Sequence, residues 1–294
     1  MQRTSLARLL VLVGWLSGCA QAQQATLSDD TPKAPVVAIV GASVSKGFKD
    51  GPATGGSADN DTVPLDRIVK AWLRERDAKV TNRADLTMFL RPLEIGQAQI
   101  DKAVKDKPDL VLAVDFLFWF GYGHVDRQHE AGERGARMER LEQGLSMLAT
   151  LPCPIVVGDL PDMAGAARRM ISPAQIPTPE ILTALNERIG GWAKERANVR
   201  LFPLGATVSQ MKTQGVDLEL ATGKVIVPPG GMLQTDRLHA NRLGMAWLGV
   251  LLQREVVATK AIAAAPQWTL DQFVVAAGAE VDLDSARQAG SVGK

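Results

Sequence analysis

Three continuous apolar runs constrain this chain more than any other feature. PVVAIVG begins at Pro35, DLVLAVDF at Asp109 and CPIVVGDL at Cys153. A half-exposed strand would alternate apolar with polar residues; these runs do not, and read as strands covered on both faces. Weaker strand signals stand near AKVTN and in VRLFPL. Between them lie segments with helical spacing. VPLDRIVKAWLRER places Leu65, Ile68, Val69, Trp72 and Leu73 on one face. IGQAQIDKAVKDK, ARMERLEQGLSMLATL and HANRLGMAWLGVLLQREVV read as helices, and PEILTALNERIGGWAKER as a helix interrupted by two glycines. Strands alternating with helices predict a five-stranded, mainly parallel sheet with helices on both faces. The 294 residues suit one such domain. KGFKDGPATGGSADNDT and TVSQMKTQGVDLELATGKVIVPPGG break the rhythm and read as long loops, the second with room for a hairpin. TLDQFVVAAGAEVDLDSARQAGSVGK is expected to add a helix and end in a polar tail.

The N-terminus is set apart from this pattern. MQRTSLAR is basic, LLVLVGWL is too short an apolar run to span a bilayer, and LSGC ends at Cys19. The order describes a secretory signal over residues 1–18. QAQQATLSDDTPKAP follows, polar and without periodicity, as a tether over 19–34 before a domain over 35–294. Cutting at Cys19 removes Arg3 and Arg8, so 33 basic side chains become 31 against 32 acidic. Such a balance predicts no bulk attraction to nucleic acid or to an anionic membrane. Cys153, the other cysteine, is expected unpaired as a small buried hydrophobe.

The chemistry of interest sits at the two ends of the domain. VVAIVGASVSKGF places Ser43 two residues past Gly41, just beyond a strand end, where ligands bind in open parallel sheets. Alone, that serine reads as a helix N-cap. LQTDRLHANRLG places Asp236 three residues before His239 at the start of the last helix. A serine nucleophile needs a base, and the base needs an orienting carboxylate. The short loop holds both.

Together the two ends resemble the SGNH, or GDSL-type, serine hydrolases. GASVSKG is similar to the family's first block, with Ser43 at the nucleophile position, and DRLHANRLG to its last, with Asp236 and His239 matching. VVGDLPDM resembles the segment after a central strand in many members. The LSGC ending resembles the bacterial lipobox, whose cysteine is lipidated. The resemblance implies a flavodoxin-like α/β/α sandwich and hydrolysis of a lipid or sugar ester through Ser43, His239 and Asp236. It implies no cofactor and no metal. The implied setting is the bacterial cell envelope: a lipoprotein held by Cys19, with Ala20 pointing to the outer membrane, and touching membrane through that anchor only. The alternative is a weak or inactive lipid-anchored binding protein on the same fold.

Two departures from the family pattern bear on that choice. Ala42 replaces the usual Asp before the nucleophile. The oxyanion-binding Gly-x-Asn-Asp is missing, because PDLVLAVD runs into FLFWFGYG. The oxyanion candidates are then the Ser43 backbone N–H and Gly96. Asp115, Phe118, Trp119 and Tyr122 are candidates for the substrate pocket, with core packing the competing reading for half of the aromatic residues and a structural role the competing reading for Asp115. His124 and His129 lack a zinc-ligand spacing and read as solvated loop residues.

Overall fold

The computed structural model describes residues 33–126, 128–166 and 171–280. The expected signal, Cys19, most of the tether and the C-terminal tail lie outside the described residues. Five parallel strands form the sheet: β1 (Val36–Ile39), β2 (Lys79–Asn82), β3 (Leu110–Ala113), β4 (Ile155–Gly158) and β5 (Val199–Phe202), in the order β2-β1-β3-β4-β5. This is the flavodoxin-like order, with a switch point between β1 and β3 where ligands bind in such sheets. Val37 lies between Val80 and Leu110, which fixes the register at that point.

Alternation along each strand feeds two cores. Val37, Ile39, Leu110, Leu112 and Val156 join one, packed with α2 (Leu65–Trp72), α8 (Arg242–Thr259) and α9 (Leu270–Ala277). Ala38, Val111, Ala113, Ile155 and Val157 join the other, with α3 (Pro92–Asp106), α5 (Gly132–Ala149) and α6 (Pro179–Lys194). The result is the expected three-layer α/β/α sandwich. Each fully buried Leu or Ile contributes about 2 kcal/mol.

Two local expectations need correction. Gly190 and Gly191 do not interrupt α6, which runs unbroken. Leu185, Ile189 and Trp192 are buried around them, and that burial offsets the cost of about 1 kcal/mol per helical glycine. The stretch TVSQMKT, expected as loop, belongs to α7 (Leu204–Thr213), which buries Leu204, Thr207, Val208 and Met211. Those positions are spaced as one helical face; Thr207 hid the stripe. The hairpin for which that second loop had room is present as β6 (Val216–Leu220) and β7 (Gly223–Val227), whose Val216, Leu218, Val225 and Val227 close the first core. α1 (Ser43–Lys46) and α4 (Phe118–Gly121) are single turns after β1 and β3. No helix among the described residues is long and apolar enough to cross a membrane.

Candidate active site

Ser43 is the first residue of α1, at the carboxyl end of β1. Its turn is held by side chains that arrive from far along the chain. The Gln99 side chain clamps Gly41, accepting from its N–H at 2.7 Å and donating to its carbonyl at 3.0 Å. The Asp115 carboxylate accepts from the amides of Val44 at 2.7 Å and Ser45 at 3.3 Å, and from the Ser45 hydroxyl at 2.5 Å. Asn82 donates to the Ser45 carbonyl and to Asp66. Gly41 has φ +153°, and a Cβ there would stand 2.1 Å from Asp115 Oδ1. Close approach of that carboxylate explains the glycine.

Asp115 therefore supports the turn rather than lining a pocket. Burial pushes its carboxyl above the usual range, against the opposing effect of the Ser45 hydroxyl and the amides of Ala42, Ser45 and Val44. The Val44 and Ser45 amides are committed to Asp115, whereas the Ser43 N–H bonds none of the described residues. Ser45 is fully buried and spends its hydroxyl on Asp115. Ser43 is only half-buried, and its hydroxyl bonds none of the described residues.

The other end of the domain forms a tight acid–imidazole pair. Asp236 is fully buried. Its Oδ1 accepts from the amides of Leu238 at 2.9 Å and His239 at 3.0 Å, so one oxygen shapes the turn. Its Oδ2 meets His239 Nδ1 at 2.6 Å, so the other orients the ring. Burial alone would raise the Asp236 pKa; the bond and charge of His239 and the two amides more than offset it, and the carboxyl is held below its usual range. The far ring nitrogen, Nε2, is buried and has no hydrogen-bond partner. Asn241 caps α8 by accepting from Gly244 N–H, and a Cβ on Gly244 would stand 2.2 Å from the Met232 carbonyl. The glycine of HANRLG is thus a packing requirement.

The two ends meet through the segment after α1. Phe48 N–H donates to the Ser43 carbonyl at 2.9 Å, and the Phe48 ring lies 4.6 Å from the His239 ring. Gln234 ties this contact down, donating to the Phe48 carbonyl and accepting from the Asp50 amide. No hydrogen bond joins Ser43 to His239. In enzymes without substrate, catalytic hydrogen bonds are often long and tighten only in the complex.

The remaining candidates lie elsewhere. Gly96 is the fifth residue of α3, where a helical amide bonds the carbonyl one turn back, and it faces Phe120 and Met88. It is a packing glycine, not an oxyanion donor. Tyr122 is fully buried, stacks on Phe118 with centroids 4.4 Å apart, and donates its hydroxyl to the Pro161 carbonyl at 2.5 Å. Burial pushes its phenol above the usual range. Phe118 is buried beside it, so both are core rather than pocket wall. Trp119 alone is half-exposed, against the exposed Phe89. Arg140 donates to the carbonyls of Phe120, Tyr122 and His124, fixing the aromatic turn. His124 is exposed and His129 pairs with Glu139 at 3.0 Å. Cys153 is buried and unpaired, its thiol pushed up to about 11 by burial.

Sequence reasoning missed Gln99 and Gln234. Gln99 carried a signal: it sits on the buried face of α3 with Gly96, Ile100 and Ala103. A polar residue in an apolar stripe needs a partner.

No protein-family profile matches the sequence, and no curated protein does. In fold, the chain is similar to solved ester hydrolases. A GDSL-like lipase from Bacteroides thetaiotaomicron is 14% identical, with a TM-score of 0.46 over 77% of this chain and 89% of that one. An acetylxylan esterase from Geobacillus stearothermophilus, solved as a catalytic mutant, is 14% identical, with a TM-score of 0.46 over 76% and 94%. A psychrotrophic esterase from Pseudoalteromonas is 10% identical, with a TM-score of 0.43 over 76% and 97%.

Proposed function

We propose that this protein is a serine ester hydrolase of the SGNH type. His239 Nε2 takes the proton of Ser43 as its hydroxyl attacks the ester carbonyl, Asp236 holds the imidazole in orientation, and the leaving alcohol takes the proton back. Water then releases the acid from the acyl-enzyme by the same route. The reading rests above all on one observation: a buried carboxylate–imidazole pair whose outer nitrogen has no partner, packed against the segment that follows Ser43. An orphaned buried nitrogen is costly, and such costs concentrate at functional sites.

The oxyanion would be held by the Ser43 N–H, the uncommitted amide of its turn. No asparagine assists. The chain has five, and Asn60, Asn82, Asn186, Asn198 and Asn241 each donate to a protein oxygen. This supports a second reading, a weak or inactive binding protein on the same fold. A fluorophosphonate probe decides between them. The hydrolase reading expects covalent label on Ser43, lost in His239→Ala; an unlabelled, folded protein that turns over no short activated ester overturns it. We also propose that Cys19 is the lipidated first residue of an envelope lipoprotein. Mass analysis of the mature N-terminus tests this, and an unmodified start elsewhere overturns it.

A further inference from the structure

The loop that carries the acid–imidazole pair also walls a separate cavity of about 280 Å³, lined by Asp162, Gly165, Ser209, Lys212, Thr213 and Arg237. Arg237 lies between the two members of the pair, with φ +56°. That left-handed conformation costs a non-glycine residue about 1–2 kcal/mol, and Asn or Gly would adopt it more readily. The position thus carries strain while presenting an exposed guanidinium that bonds none of the described residues. Strain of this kind clusters at functional sites. Across the cavity, Lys212 is half-buried and donates to the Asp162 backbone carbonyl at 2.6 Å. Burial holds its pKa below the ordinary lysine range. Asp162 and Asp236 raise it and the charge of Arg237 lowers it, so each of the three lies within electrostatic reach of Lys212. Among the described residues Asp162 is the one carboxylate on the wall, and its Oδ1 accepts from the Ala164 amide.

Two cations against one carboxylate make the described lining of the cavity positive, beside an Asp236 carboxylate that is already bonded to His239 and to two amides. We infer that the Lys212–Arg237 cavity is an anion subsite, taking a carboxylate or phosphate-type group on the ester substrate. The substrate assignment rests on the hydrolase reading; binding of the anion does not. A flexible lysine and a forked guanidinium together suit an oxyanion, the first as a point charge and the second as a two-pronged donor.

The test has two arms. Inorganic phosphate is titrated calorimetrically into the purified protein, into Arg237→Asn, which suits a left-handed backbone, and into Lys212→Met, which keeps side-chain length. Wild type should bind, each variant should bind about tenfold more weakly or worse, and salt should weaken wild-type binding. No binding to wild type, or binding unchanged in both variants, overturns the anion site. In the second arm, kcat/KM is compared for matched esters with and without a carboxylate, placed in the acyl chain or in the alcohol. The ratio of anionic to neutral ester should fall about tenfold in the variants. Phosphate binding with an unchanged ratio overturns the substrate role. Phosphate binding without hydrolysis of any ester leaves the anion site standing and counts against the hydrolase reading alone.

Discussion

Two turns leave neighbouring strands at the same edge of the sheet, and they are built in opposite ways. The turn after β1 starts with small residues, Gly41, Ala42 and Ser43, and is shaped by side chains 37 to 71 residues from the groups they bond: Asn82, Gln99 and Asp115. The turn after β3 consists of large aromatics that fill their own space, with Phe116 against Phe120 and Phe118 against Tyr122. Outside help comes to its carbonyls from Arg137 and Arg140 and to the Tyr122 hydroxyl from the Pro161 carbonyl. A turn of small residues cannot bury the bulk that would hold it, so its geometry is imposed from outside. A turn that packs itself has little left to offer a ligand. The aromatic composition that marked the second turn as a pocket was the signature of its self-sufficiency.

The comparison breaks most visibly on activity. Ser43→Ala and His239→Ala should each lower kcat by about 10⁴–10⁶-fold on a short activated ester, with the double variant little worse than either single one. Retained turnover in folded Ser43→Ala would remove function from the first turn altogether.

Next in size is the loss of outside support. Asp115→Ala strands the Ser45 hydroxyl and the Val44 and Ser45 amides in a buried site. It should cost about 3–5 kcal/mol in chemical denaturation and lower kcat in whatever protein remains folded. A loss below about 1 kcal/mol would show that the first turn holds itself, as the second does.

A pH test addresses the loop that faces the first turn. Asp236 is held below the usual carboxylate range. Its contribution to stability is therefore complete above its unfolded value of about 4 and is lost as pH falls through its lower folded value. Denaturation of wild type and Asp236→Asn should differ most near neutrality and converge in acid. A difference that persists unchanged to strongly acidic pH would assign the destabilisation to packing instead.

The smallest expected effect lies in the second turn. Tyr122→Phe removes one buried hydroxyl from the Pro161 carbonyl and should cost about 1 kcal/mol. The measurement is thermal unfolding alongside kcat/KM for a neutral ester, which should stay within about twofold. A fall of tenfold or more would return Tyr122 to the active site.

The layers, the parallel sheet and the loops in which chemistry is to be sought were legible in the residues alone. Those follow from local signals: apolar runs for strands buried on both faces, helical stripes between them, and Asp236 only three residues from His239, close enough to pair within one turn. What tertiary structure alone decided concerns residues whose partners are distant in sequence. Asp115 became the carboxylate that holds the Ser43 turn because β1 and β3 are neighbours in the sheet. Gly96 became a packing contact because Phe120 lies across it. Tyr122 turned inward because the Pro161 carbonyl offered its hydroxyl a partner. Lys212 and Arg237 came to share one cavity although 25 positions separate them in the chain. A local pattern fixes how a segment folds and which groups it can present; which of those groups are consumed by the core and which are left for a ligand depends on the surfaces that close over them.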